Sequence, residues 1–224
     1  MTRAMLVLLL WAGGRGPAEK ALDAQDRAAL ETIAGESEHA SEAKPNDAAA
    51  QYNSAYSHSL LAQLAIELGD KQLGRRAAET GIKNAQRAVA LKPNNSEFHR
   101  ILGTLCGQII PANVMAGLKY GKCAMEEVGK AIEIDKSSSN NWLSRGVGNY
   151  YLPAAFGGGV NLAVQDFEKA VELDPKSAEA HLWLGIALRK SGRNADARKA
   201  FAKSLELNPN RRWTKTQLEK TPPQ

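Results

Sequence analysis

The chain has 224 residues, of which 43% are hydrophobic and only 6% aromatic. That is enough apolar material for a core, and its Ala- and Leu-rich character suits helix packing better than a β-sandwich. The net charge of +5 comes from Lys and Arg scattered along the chain rather than striped, which argues against a nucleic-acid partner. No stretch reaches the ~20 apolar residues that a helix needs to span a bilayer.

Taken in order, residues 1–18 read as a signal peptide. Arg3 gives a positive start, Met5 to Ala12 form a short apolar run, and small residues follow at Gly13, Gly14, Gly16 and Ala18. Export to a periplasmic or extracellular space is the expectation, with a cytoplasmic location as the alternative. Residues 24–44 read as a single helix with Ala28, Ile33 and Ala40 on one face, stopped at Lys44-Pro45.

Four helical hairpins are expected next, over 47–93, 94–136, 139–175 and 176–209. In the first, Asn46 or Asp47 caps a helix carrying His58, Leu61, Ala62 and Ala65. Gly69-Asp70 turns it into a second helix with Gly81, Ala85 and Ala88. The second hairpin places His99, Leu102, Gly103 and Cys106 on one helix, breaks at Pro111, and continues with Ala124, Val128, Ala131 and Ile134. The third opens near Ser139 with Trp142, Arg145 and Gly146, where Arg145 takes a slot that is apolar elsewhere. The fourth runs from Ser177 through Gly192 to Asn208-Pro209. A capping helix and tail are expected over 210–224, with Asn210 as cap, Trp213 and Leu218 on the last open face, and a frayed end from Thr221.

The last two hairpins carry one pattern twice. Ala163, Phe167, Ala170, Leu173, Asp174 and Pro175 recur 34 residues later as Ala197, Phe201, Ser204, Leu207, Asn208 and Pro209. This spacing resembles the tetratricopeptide repeat family, with His181 and Ser204 as mild departures. The resemblance implies an all-α fold, a right-handed superhelical solenoid of helical hairpins. The small residue of the first helix lies 12 residues from that of the second in the fourth unit, but 17, 21 and 19 residues away in the third, second and first. Seven extra residues are about two helical turns, so the first unit is expected to have longer helices rather than a loose loop. Leu105-Cys106-Gly107, Gly117 to Gly121 and Ala131-Ile132-Glu133 also resemble the regulator of microtubule dynamics family, whose units are similarly lengthened. The Pro-x-x-Phe-Gly-Gly loop resembles helical-repeat components of periplasmic substrate transporters.

Three constellations could carry chemistry. His58, His99 and His181 share one slot, but equivalent slots lie a helix-pair spacing apart, far beyond the ~2 Å bonds of zinc, so structural roles are expected and no metal or cofactor. Cys106 and Cys123 lie on the two helices of one hairpin. Buried thiols are the expectation and a cross-hairpin disulfide the alternative. Leu152 to Gly159 cannot be helical throughout. Its glycines lack the lysine, Ser/Thr and preceding strand of a phosphate loop. Phe156 either anchors a partner there or tucks into the core.

No catalytic motif is present, so an enzyme is the least favoured reading. The tetratricopeptide resemblance implies a concave groove lined by the first helix of each hairpin, binding a protein or peptide. It would include Asn140, Leu143, Val147, Tyr150 and Tyr151 in the third unit, and Glu179, Leu182, Trp183, Ile186 and Arg189 in the fourth. Trp183 either lines that groove or packs on a neighbouring helix. A non-enzymatic scaffold is the leading function, and a structural helper in a bacterial envelope transport or assembly complex is the alternative.

Overall fold

The structure is a computed structural model that describes residues 15–110 and 115–223. Residues 1–14 of the expected signal peptide and the break at Pro111 lie outside the described residues. Within them the chain is all-α: eleven α-helices, a 3-10 turn at Ala154–Phe156 and no strand. They are α1 (Pro17–Asp23), α2 (Arg27–Ala43), α3 (Ala48–Leu68), α4 (Lys71–Leu91), α5 (Ser96–Gln108), α6 (Ala116–Ile134), α7 (Ser139–Tyr151), α8 (Val160–Leu173), α9 (Ala178–Lys190), α10 (Asn194–Leu207) and α11 (Arg212–Glu219).

Local chemistry sets most of the boundaries. Asp26, Asp47, Asp70, Asn95 and Ser177 each accept a backbone N–H at a helix start, as a short polar side chain in extended backbone does. Gly69 ends α3 at φ 75°, a left-handed conformation that a Cβ would disfavour. Because Asp70 caps the next helix at once, α3 and α4 run 21 residues each with hardly a loop between them. The extra length of the first unit is therefore helical.

Hairpins α3/α4, α5/α6, α7/α8 and α9/α10 pack in series. Glycine sets how closely the paired helices approach. A Cβ on Gly185 would stand 2.6 Å from the Phe201 ring, and one on Gly146 would stand 2.5 Å from Phe167. Phe201 and Phe167 are fully buried in one core cluster with Trp183, Ile186 and Leu188. A second cluster surrounds Leu30, Leu61, Leu64, Ile82, Leu102 and Leu105. Each fully buried side chain of this size contributes roughly 1.5–3 kcal/mol.

Several expectations are corrected. In α2 the core face is Leu30, Ala34 and Ser41, whereas Ala28 and Ala40 are exposed. Both sets have helical spacing, so periodicity alone did not choose between them. Ile134 is 44% exposed, and Ile132 takes the core position. Arg145 holds its slot without burial: it forks onto Asp166 at 2.5–3.1 Å and stacks 4.4 Å over the Trp142 ring. Cys106 and Cys123 are joined in a disulfide, their Cα atoms 6.0 Å apart, against the expectation of free thiols. At the C-terminal end Arg211, not Asn210, stands at the start of α11. Thr221 does not fray: it is 1% exposed, and its carbonyl accepts from Arg198 at 2.8 Å.

The proposed boundary at residue 18 falls inside α1. Ala18, Ala21 and Leu22 of this helix belong to the first core cluster.

Candidate functional site

The slots fixed by His58, His99, Trp142 and His181 carry a register from unit to unit. Two residues before each lie Tyr56, Glu97, Asn140 and Glu179. These mark the inner face of the first helices α3, α5, α7 and α9. A polar network runs along it. The Tyr52 hydroxyl donates to Glu97 at 2.8 Å, and Arg100 forks onto the same carboxylate at 2.5–2.7 Å. Arg100 and Thr104 both donate to Ser144 on the next unit, at 3.3 and 3.2 Å. Burial opposes ionisation of Glu97, but Arg100 and the Tyr52 hydroxyl outweigh it and hold its carboxyl below the usual range.

The inner face then closes on itself. Gln63 of α3 donates to Glu179 of α9 at 2.8 Å, across 116 residues of sequence. Arg211 lies at the centre of this meeting point, with its side chain 1% exposed. It donates to Glu67 at 2.9 Å through one nitrogen and pairs with the same carboxylate through the other. It also donates to Glu179 at 3.4 Å and to the Leu22 carbonyl at 3.3 Å, and it lies 3.8 Å from Asp23. Burial raises the Glu67 carboxyl, and Arg211 opposes that rise. Burial likewise works against Glu179, but there Arg211 and Gln63 win and the carboxyl is held low. Among the described residues no group of three or more His, Cys, Asp or Glu is arranged to hold a metal. The Asp23, Glu67 and Glu179 carboxylates gather around a guanidinium instead.

This closure places the expected groove residues differently. Leu182, Trp183 and Ile186 are 0%, 6% and 4% exposed. Trp183 packs on neighbouring helices, with ring centroids 6.0 Å from Tyr150, 6.2 Å from Tyr151, 6.0 Å from Phe167 and 5.4 Å from Trp213. Arg189 is spent on the end of α11, donating to the Gln217 carbonyl and side chain at 2.9 and 2.6 Å. Leu143, Val147 and Tyr150 are half-buried, and Lys190 lies 4.1 Å over the Tyr150 ring. Asn140, Tyr151 and Phe156 are exposed.

Phe156 does not tuck into the core; it is 72% exposed. The loop that carries it is fixed by its own backbone. Phe156 N–H donates to the Pro153 carbonyl, Gly157 N–H to Ala154 and Gly159 N–H to Asn149, at 2.9–3.0 Å. Gly157 and Gly159 take φ of 87° and 118°, which only glycine adopts readily.

The histidines are held by local partners. His58 bonds the Ser54 carbonyl, His99 bridges Glu127 and the Pro93 carbonyl, and His181 reaches the Pro175 carbonyl.

Residues 155–212 match the tetratricopeptide repeat family. Over nearly its whole length the chain superposes on a thermophilic tetratricopeptide protein, TTC0263 of Thermus thermophilus. The TM-score is 0.66 at 18% identity, covering 92% of this chain and 96% of that one. The chain shares the fold of a tetratricopeptide-repeat solenoid. The HusA haemophore of Porphyromonas gingivalis has a similar fold, with a TM-score of 0.59 at 18% identity over 80% of this chain and 96% of that one. Among curated proteins, the array is 36% identical over 98 residues to small glutamine-rich tetratricopeptide repeat-containing protein 2 of Mycosarcoma maydis, 43% of this chain and 26% of that protein. It is 25% identical over 159 residues to regulator of microtubule dynamics protein 3 of Mus musculus, 63% of this chain and 34% of that protein. The chain thus spans only about a quarter to a third of the length of these relatives.

Arg211, Glu67, Asp23 and the Tyr52/Tyr56 pair were not legible as site residues in the sequence. They come from three separate elements, α1, α3 and the start of α11, and no local spacing links Asp23 and Arg211 to α3. The repeat register does place Tyr56 and Glu67 on the inner face, so that signal was available.

Proposed function

We propose that this solenoid is a non-enzymatic scaffold that binds a protein or peptide through the rim around Tyr151 and Phe156. The observation that carries the reading is Phe156, 72% exposed on a loop held rigid by its own hydrogen bonds. A large aromatic that is pre-ordered loses little entropy on binding and makes a strong anchor. Tyr151, 46% exposed, ends the helix before the loop and adds a second aromatic. The groove interior is a weaker candidate, because Leu182, Trp183 and Ile186 are already covered and the inner face is closed by Arg211.

The chain works in an oxidising compartment on this reading, supported by the Cys106–Cys123 disulfide, a bond that cytosolic reductants would remove. Among the described residues no helix is long and apolar enough to cross a membrane.

The test is a photo-crosslinking amino acid placed at position 156 in the producing cell, with exposed Glu206 on the second helix of the last hairpin as the control position. A discrete adduct at 156 that is missing at 206 supports the reading. Identical adduct patterns at both positions, or none at 156, defeat it.

A further inference from the structure

Helix α1 occupies the inner face of the first unit. Its apolar residues Ala18, Ala21 and Leu22, at i, i+3 and i+4, are 8%, 7% and 2% exposed and join the cluster of Leu60, Leu61 and Leu64. Tyr56, which holds the slot that Glu97, Asn140 and Glu179 fill in the other units, donates its hydroxyl to Glu19 at 2.8 Å. At its far end the Leu22 carbonyl accepts from Arg211, and Asp23, 3% exposed, lies beside the same guanidinium and bonds Arg15 at 3.0 Å.

Two features set α1 apart from the helices of the array. It has seven residues, too few to be helical alone, so its fold depends on its seat. It joins α2 through Gln25 at φ 51°, the one positive-φ residue other than glycine among those described, a conformation that costs an L side chain energy. A seat that imposes helicity on a weak segment, held by a strained corner, has the form of a receptor with its ligand tethered.

We propose that the inner face of α3 is a docking seat for an amphipathic helix and that α1 is its cis occupant. The partner is a helix of the same chemistry: small or Leu residues at i, i+3 and i+4, and carboxylates at i+1 and i+5 to meet Tyr56 and Arg211. Tethering gives α1 a high local concentration, so a partner enters when α1 lifts at Gln25. The proposal rests on α1 and its partners and not on Phe156.

The test uses the full chain and a fluorescein-labelled peptide of residues 15–24, followed by fluorescence anisotropy. Leu22→Lys places a charge in the cluster and empties the seat. The peptide is expected to bind the Leu22→Lys chain saturably and to show no binding to the native chain over the same concentration range. Adding Tyr56→Phe should weaken it roughly tenfold, the typical loss for a hydrogen bond to a charged group. A peptide with Glu19→Gln should be weak already and indifferent to Tyr56→Phe. Phe156→Ala should leave peptide binding unchanged, which separates failure of the seat from failure of the rim. Equal binding to native and Leu22→Lys chains, or insensitivity to Tyr56→Phe, overturns the proposal.

Should Leu22→Lys fail to fold, amide hydrogen exchange on the native chain decides. The α1 amides of residues 20–24 should exchange through openings that leave α2 and α3 protected. Protection of α1 equal to that of α2 makes it a permanent end cap and overturns the proposal.

Discussion

Replacing Arg211 by Leu removes the cation from a site where Glu67 is wholly buried and Asp23 nearly so, at 0% and 4% side-chain exposure. Breaking a buried pair by deleting one partner costs about 3–5 kcal/mol, because the other charge is left uncompensated. The Leu22 carbonyl also loses its donor, which adds about 1 kcal/mol. Glu67 is already pushed toward its neutral form by burial, so protonation relieves part of the loss, and the cost should shrink below neutral pH. Urea unfolding followed through Trp213, whose ring lies 5.5 Å from the Arg211 guanidinium, reads the region directly. A loss of about 4 kcal/mol is expected at pH 7. The double variant Arg211→Leu with Glu67→Leu should recover more than half of it, since apolar residues can replace a buried pair at little cost. A single-variant loss under about 1 kcal/mol, or a double variant no better than the single, would refute the reasoning.

Other outcomes follow from the same structure. Gly185→Ala forces a methyl to 2.6 Å from the Phe201 ring and should destabilise the last hairpin by about 1–3 kcal/mol in thermal unfolding. The same change at Gly129, which has nothing within 4 Å, should be neutral or slightly stabilising. Reducing Cys106–Cys123, which closes a 17-residue separation, should lower stability by about 3 kcal/mol, measured as a shift in the urea midpoint with and without reductant. Glu97 has a lowered carboxyl pKa, so its stabilising contribution is present above the unfolded value of 4.5 and is lost as pH falls through the folded value. The stability gap between the native chain and Glu97→Gln should therefore be constant from pH 7 to 5 and close on further acidification. A gap that widens in acid has the wrong sign for this account.

The repeat was legible because its signals are local. Gly146 and Gly185 face Phe167 and Phe201 at fixed spacing, and Asp or Asn before Pro ends the second helix of each of the last two hairpins. The lengthened first unit could be foreseen from seven extra residues, since two helical turns restore the buried face. What the sequence did not reveal depends on the array curving back on itself. Glu67 and Arg211 are 144 residues apart, and each alone reads as an ordinary surface charge. Trp183 was ambiguous for the same reason: its covering partners Tyr150, Tyr151 and Trp213 come from two other helices. Phe156 was ambiguous because a Gly-rich loop leaves its direction to backbone geometry. On α2, Ile33 packs against the core as expected, but Ala28 and Ala40 do not, because Ala fits either side of a helix, whereas Leu30 marked the core.

The central claim is that the two ends of the solenoid meet across its inner face. Gln63 and Glu179 touch at 2.8 Å, so a Gln63→Lys chain treated with a zero-length carbodiimide should form an amide between them. Mass spectrometry of the digest should then show one linked pair joining the peptides that contain positions 63 and 179. Absence of that pair, while the local Lys169–Glu172 contact at 2.7 Å does react, would mean that the array is open and would contradict the account.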